Sequence, residues 1–319
     1  MLSKEYYRTY VQILKDELVP AMGCTEPIAI AYAGAVARKT LGALPERVEV
    51  AVSRNIIKNV KSVVVPHTGG LRGIEAAAAA GIVAGDAAKE LEVISHVEQE
   101  DIEAMGTFLK KVPCSVCEAS SDLIFDIQIT LYHGEDRASV RITDFHTNLV
   151  HVSRNGEILL AKEITGKEES ALADKSTLTI EKIFVFAKEV DLADVREVLE
   201  RQVRYNMAIA EEGLCGNYGA NIGSVLLDTY GDADVKVRAK ARAAAGSDAR
   251  MNGCELPVII NAGSGNQGMT CSLPVLEYAR ELKAGEDKPY RALALSNLVA
   301  IHQKTGIGRL SAYCGAVSA

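Results

Sequence analysis

A chain of 319 residues with 48% hydrophobic content is long enough to bury a full core, as one large or two ordinary domains. Its formal net charge of −7 argues against nucleic-acid or anionic-membrane partners, which require clustered Lys and Arg, so the expected partner is a small molecule. The first residues, Met-Leu-Ser-Lys-Glu-Tyr-Tyr-Arg, carry no apolar signal core, and Gly81, Gly85 and Asp86 break the Ala-rich run from Glu75 to Ala88; this predicts a cytoplasmic protein. Seven cysteines, an odd number in a large chain, favour reduced thiols and a metal site over a disulfide framework.

In chain order, Tyr7, Tyr10, Val11, Leu14 and Leu18 recur at helical spacing, and Thr25-Glu26-Pro27 opens an Ala-rich helix running to Leu41. Val48 to Val52 alternates like a strand, Lys58 to Val65 reads as another, and Gly73 to Leu91 reads as a helix packed through alanines. Two hairpins follow: Asp122–Tyr132 with Ala138–Thr143, and Asn148–Ser153 with Glu157–Lys162 around Arg154-Asn155-Gly156. Past a polar linker from Gly166 to Lys175 the chain turns helical again, over Ile180–Val190, Leu192–Glu212, Asn221–Leu227 and Val235–Ala245. The predicted fold is therefore α+β: a mainly helical domain (1–45 and 166–319) split by an inserted α+β domain (46–165) with a small, largely antiparallel sheet. After Ala319 there is no helix end signal, so the chain is expected to continue.

Four motifs carry chemistry. Leu256 to Gly268 contains G-x-G-x-x-G at Gly263, Gly265 and Gly268, but the second parallel strand of a dinucleotide fold is missing and Pro274 interrupts the expected phosphate-binding helix. The segment reads as a substrate loop in which glycine amides, with Ser264, Asn266 and Gln267, grip a carboxylate, or as a purely structural turn. Gly23-Cys24-Thr25-Glu26-Pro27 sets a cysteine before a helix, where amides and the macrodipole favour a thiolate; an inert buried thiol is the alternative. Pro66-His67-Thr68-Gly69-Gly70 is a glycine turn before a helix, in which His67 positions a carboxylate, moves a proton or is an ordinary turn histidine. Cys314, among Gly, Ala and Ser, supplies little core volume and suits a metal or cluster ligand. Cys114 and Cys117, spaced C-x-x-C without a second pair, and Cys254 and Cys271 beside the glycine loop are weaker ligand candidates.

Taken together, Gly23-Cys-Thr-Glu-Pro27, Pro66-His-Thr-Gly69, Asn261 to Gly268 and Ser296-Asn-Leu with Lys304-Thr-Gly-Ile-Gly-Arg-Leu-Ser-Ala-Tyr-Cys-Gly315 resemble the iron–sulfur L-serine dehydratase α-chain superfamily, and within it the single-chain L-cysteine desulfidase branch. The resemblance implies a [4Fe–4S] cluster held by three cysteines, its fourth iron open to substrate. It implies Cys314 as the first ligand, the other two lying beyond residue 319. It further implies Cys24 as catalytic base or acid, with His67, Thr68, Gly265, Asn266, Gln267 and Lys304 as substrate-binding residues. The implied reaction is β-elimination from L-cysteine or L-serine to pyruvate and ammonia, with sulfide from cysteine. Two other readings stay open: a pyridoxal-phosphate lyase using Lys304 and the Gly263–Gly268 cradle, and a non-catalytic amino-acid-binding or regulatory protein. The residues do not choose between serine and cysteine, and they leave the oligomeric state open, with a homodimer compatible.

Overall fold

The computed structural model describes residues 2–164, 173–307 and 314–318. The chain divides into two compact units, Met1–Gly23 with Ala171–Ala319, and Cys24–Ser170. The fold is α+β, helices predominating around one six-stranded sheet and one two-stranded sheet.

The first unit begins with α1 (Lys4–Glu17), capped by Ser3, whose hydroxyl accepts from the Tyr6 amide at 3.3 Å. Tyr10, Ile13 and Leu14 form its buried face at helical spacing. Strand β1 (Pro20–Met22) follows.

The second unit opens with α2 (Thr25–Leu41), expected in the helical domain; the contact boundary falls at Cys24 because α2 packs on the sheet and on a neighbouring Ala-rich helix. Next come β2 (Arg47–Val52), α3 (Arg54–Val60), α4 (Gly73–Ala84), a 3₁₀ turn (Ala87–Glu92), α5 (Gln99–Lys111), β3 (Cys114–Glu118), β4 (Asp126–His133), β5 (Asp136–Thr143), β6 (Leu149–Arg154) and β7 (Glu157–Ala161). The sheet order is β3-β2-β4-β5-β6-β7, and only the β2–β3 pair is parallel. Val48, Val50, Val52, Ile127, Ile129, Leu131, Val140 and Ile142 are buried on alternating positions, so one face of the sheet is apolar. The β6–β7 hairpin turns on Asn155 and Gly156, both at positive φ (52° and 88°), as its Asn-Gly pair predicts.

Helices α2 and α4 meet at backbone contact. A β-carbon on Gly81 would lie 1.8 Å from the Ala31 carbonyl oxygen, so the close approach requires glycine there. The expected strand from Lys58 to Val65 is instead α3 and a bend: Ile56 and Val60, one helical turn apart, are fully buried, and only Val64 makes a bridge, to Arg72. The helix expected from Gly73 to Leu91 stops at Gly85, whose backbone is extended.

The first unit resumes with a 3₁₀ turn (Lys175–Thr177) and the helices α6 (Ile180–Glu189), α7 (Leu192–Cys215), α8 (Ile222–Tyr230) and α9 (Val235–Met251). Strand β8 (Pro257–Ile259), α10 (Gly265–Glu281), α11 (Asp287–Thr305) and the short α12 (Gly315–Ser318) complete it. Its core joins α1, α6, α7 and α11 through Tyr10, Ile13, Phe186, Leu199, Leu298 and Ile301, with Tyr10 edge-on to Phe186 at 5.5 Å. Strand β8 pairs antiparallel with β1 alone, so the glycine loop after it is not the turn of a doubly wound parallel sheet. Pro274, expected to interrupt the following helix, lies inside the continuous α10. Among the described residues no helix is long and apolar enough to cross a membrane.

Candidate functional site

The glycine loop is a tight turn. Ala262 and Gly263 both have positive φ (46° and 82°), and Ser264 and Asn261 exchange backbone hydrogen bonds of 3.0 Å. An alanine in the left-handed region is uncommon and marks a backbone held by its surroundings. Ser264 then caps α10, its hydroxyl accepting from the Gln267 amide at 3.2 Å.

What holds the turn is a buried network of amides. Gln267 Nε2 donates to Asn261 Oδ1 at 2.8 Å, and Asn261 Nδ2 donates to Asn297 Oδ1 at 2.9 Å. Asn297 and Gln202 exchange hydrogen bonds of 2.8 and 2.9 Å. All four side chains are at most 1% exposed. This neutral network fixes which way Gln267 faces: its Nε2 is committed to Asn261, and its buried Oε1 has no hydrogen-bond partner among the described residues.

Gly315 packs against that oxygen. A β-carbon at 315 would lie 2.0 Å from Gln267 Oε1 and 3.2 Å from Lys304 Nζ. Lys304, in the last turn of α11, is 4% exposed. The exposed Cys314 is thus set one residue from a polar cluster built by Gln267 and Lys304. Gly265 and Asn266 form the first turn of α10, and Asn266 Oδ1 accepts from Arg250 Nη1 at 3.1 Å. Of the residues expected to bind substrate, Gly265, Asn266, Gln267 and Lys304 belong to this unit with Cys314.

Cys254 and Cys271, beside the glycine loop, are buried. Burial pushes the Cys271 thiol up to about 12, and Cys254 is raised for the same first reason, so both stay protonated near neutral pH. Among the described residues no three His, Cys, Asp or Glu side chains are placed to hold a metal ion. Cys314 and Cys215 are the exposed thiols of this unit, and of the two only Cys314 adjoins the Gln267–Lys304 cluster, so it is the one donor there that suits an iron of a [4Fe–4S] cluster.

Cys24, His67 and Thr68 lie in the second unit. Cys24 precedes α2 and is 5% exposed; its sulfur donates to Glu26 Oε2 at 2.8 Å, and Glu26 Oε1 accepts from Asn59 Nδ2 at 3.3 Å. In place of the isolated thiolate expected at the helix terminus, the structure shows a thiol hydrogen-bonded to a carboxylate. Glu26, in the first turn of α2, has its charge supported by the helix amides. His67 has φ 57° in a turn closed by the Val65–Leu71 hydrogen bond of 2.9 Å. The Thr68 hydroxyl, 1% exposed, donates within that turn to the Val65 carbonyl at 2.7 Å. This loop stops short of α4, which Arg72 opens without a side-chain cap. Cys114 and Cys117 sit three apart on β3, hence on opposite faces, and burial raises Cys114 to about 11; the C-x-x-C spacing does not make a joint site.

Residues 88–319 match the serine dehydratase alpha chain family over most of the chain. The chain belongs to that family. It is 59% identical over 314 residues to a UPF0597 protein of Desulfitobacterium hafniense, covering 98% of this chain and 73% of that one. Similar relatives include UPF0597 proteins of Lachnoclostridium phytofermentans (53% identical, 98% and 75% covered) and Treponema denticola (46%, 100% and 75%). The matched residues include the Asn261–Gln267 turn, its buried amide partners, Lys304 and Gly315. Sequence reasoning found the turn but missed Gln202, Asn297 and Arg250. No local spacing in the sequence marks them.

Proposed function

We propose that this protein is a cytoplasmic β-elimination lyase that converts L-cysteine to pyruvate, ammonia and sulfide, or L-serine to pyruvate and ammonia. Family membership supports an amino-acid lyase. The observation that carries the finer reading is Gly315 against Gln267 Oε1 and Lys304, which sets Cys314 beside the substrate loop. Cys314 would hold one iron of a [4Fe–4S] cluster, which when bound supplies Lewis acidity that acidifies the substrate α-carbon and stabilises the departing HS⁻ or HO⁻.

The chain's own groups do the rest. Gln267, oriented by Asn261, Asn297 and Gln202, presents an acceptor to the substrate ammonium. The first-turn amides of α10, at Gly265 and Asn266, face a carboxylate. Lys304, buried at the same cluster, adds positive charge. Cys24 moves the proton: with Glu26 accepting the thiol hydrogen, sulfur becomes a base for an α-proton. His67 and Thr68 are assigned to substrate positioning, Thr68 by shaping its turn.

Protein prepared without oxygen and supplied separately with L-cysteine and L-serine tests this directly. Pyruvate from either one, with stoichiometric sulfide from cysteine, is the expected result and also selects the substrate. No pyruvate from either, in protein carrying iron and sulfide, would refute the lyase reading.

A further inference from the structure

Arg250, near the end of α9, is 4% exposed, yet among the described residues no carboxylate lies within ion-pair distance of it. Its Nη1 donates to Asn266 Oδ1 at 3.1 Å and lies 3.6 Å from Met251 sulfur, both neutral partners. Its Nε is buried without any hydrogen-bond partner among the described residues. Elsewhere in the same unit Arg238 is paired with Glu277 and Glu281, and Arg242 with Glu211 and Glu277. A buried guanidinium left unpaired costs free energy that folding alone does not recover.

The position sharpens the point. A β-carbon on Gly265 would lie 2.3 Å from Arg250 Nε and 2.7 Å from Cζ, so the guanidinium rests directly on the first residue of α10. Of that helix's first-turn amides, Gln267 is bound by Ser264 Oγ and Gly268 by the Ser264 carbonyl, which leaves those of Gly265 and Asn266 without an intrahelical acceptor. The amino end of a 17-residue helix carries partial positive charge. A cation and a positive helix end therefore meet at one buried spot, each repelling the other, with no negative group among the described residues to reconcile them.

We propose that Arg250, with the Gly265 and Asn266 amides, forms an anion subsite that takes the α-carboxylate of the substrate amino acid. The choice of an amino acid rests on the lyase reading, whereas the need for an anion does not. Glycine at 265 is required because any side chain would displace the guanidinium, and Asn266 keeps the side chain from swinging away. The subsite recognises charge and fork geometry: two N–H donors of one guanidinium suit the two oxygens of a carboxylate. Inorganic phosphate shares that chemistry and serves as a control ligand.

Calorimetry on the purified protein tests the subsite without turnover. L-alanine presents the carboxylate and amine of serine and cysteine with nothing to eliminate; L-alaninamide removes the charge. The wild-type protein is expected to bind L-alanine at least about ten-fold more tightly than L-alaninamide, and Arg250→Gln to lose about ten- to hundred-fold in L-alanine affinity while L-alaninamide changes little. Arg250→Lys should recover part of the loss. Should Arg250→Gln fail to fold, Gly265→Ala, which keeps the charge but pushes it aside, should produce the same selective loss. Phosphate binding that depends on Arg250, without L-alanine binding, would show an anion site that is not a substrate subsite and would overturn the proposal. So would equal affinities for L-alanine and its amide, unchanged L-alanine affinity in both variants, or no binding of L-alanine by the wild type. The lyase reading fails separately: Arg250-dependent L-alanine binding with no pyruvate from cysteine or serine would remove that reading and leave the subsite standing.

Discussion

The two units carry chemically opposite kinds of site. Around Gln267 four buried neutral amides hydrogen-bond to one another and hold one orientation, with Gln267 Oε1 left without a partner among the described residues. Around Cys24 the groups are a thiol, a carboxylate and the amide of Asn59, a set that includes two groups able to exchange a proton. On the proposed reading the contrast is a division of labour: the amides and one buried guanidinium would bind and orient, and the acid–thiol pair would move a proton.

The largest effect belongs to Cys314. Replacing it with serine, in protein prepared without oxygen, should remove most of the iron, the broad visible absorbance and turnover, because a hydroxyl is a poor iron ligand beside a thiolate. Iron analysis and the visible spectrum check this; full iron content in the variant would detach Cys314 from the orienting site.

Stability comes next. Asn297→Ala removes the hub of the amide network and leaves donors or acceptors of Gln202 and Asn261 buried without partners, so urea unfolding should show a loss of about 2–5 kcal/mol. A loss below about 0.5 kcal/mol would mean the network is not rigid and the contrast with the Cys24 pair collapses. Gly81→Ala is smaller in origin but similar in kind. Its β-carbon meets the Ala31 carbonyl, so α2 and α4 must separate, at about 1–3 kcal/mol in the same assay and with little effect on L-alanine affinity.

Much of this was legible in the sequence because it is local. The helical spacing of Tyr10 and Leu14 announces the first helix, Asn155-Gly156 a hairpin, and the alternation of Ile127, Ile129 and Leu131 a half-buried strand. The glycine loop was visible for the same reason. What stayed hidden was set by distance along the chain. Asn297 lies 36 residues from Asn261 and 95 from Gln202, and no spacing rule links them. Lys58 to Val65 misled because Val63, Val64 and Val65 imitate a strand, whereas burial of Ile56 and Val60 at helical spacing decides the first half. Cys24 was visible as a thiol at a helix start, but its carboxylate partner two residues on was read only as a helix opener. Arg250 sits in an Ala-rich helix where an arginine ordinarily faces water, and only its burial against Gly265 reveals it.

The division of labour itself is tested most directly by steady-state kinetics of Cys24→Ala and Gln267→Ala side by side, with iron content measured in both. Cys24→Ala should keep its iron and its KM while kcat falls by about two to four orders of magnitude, and serine at this position should restore little. Gln267→Ala should keep its iron and raise KM by about ten-fold or more, with a smaller change in kcat. Near-normal kcat in Cys24→Ala, or a raised KM there with kcat intact, would contradict the account by making Cys24 an inert or merely positioning group.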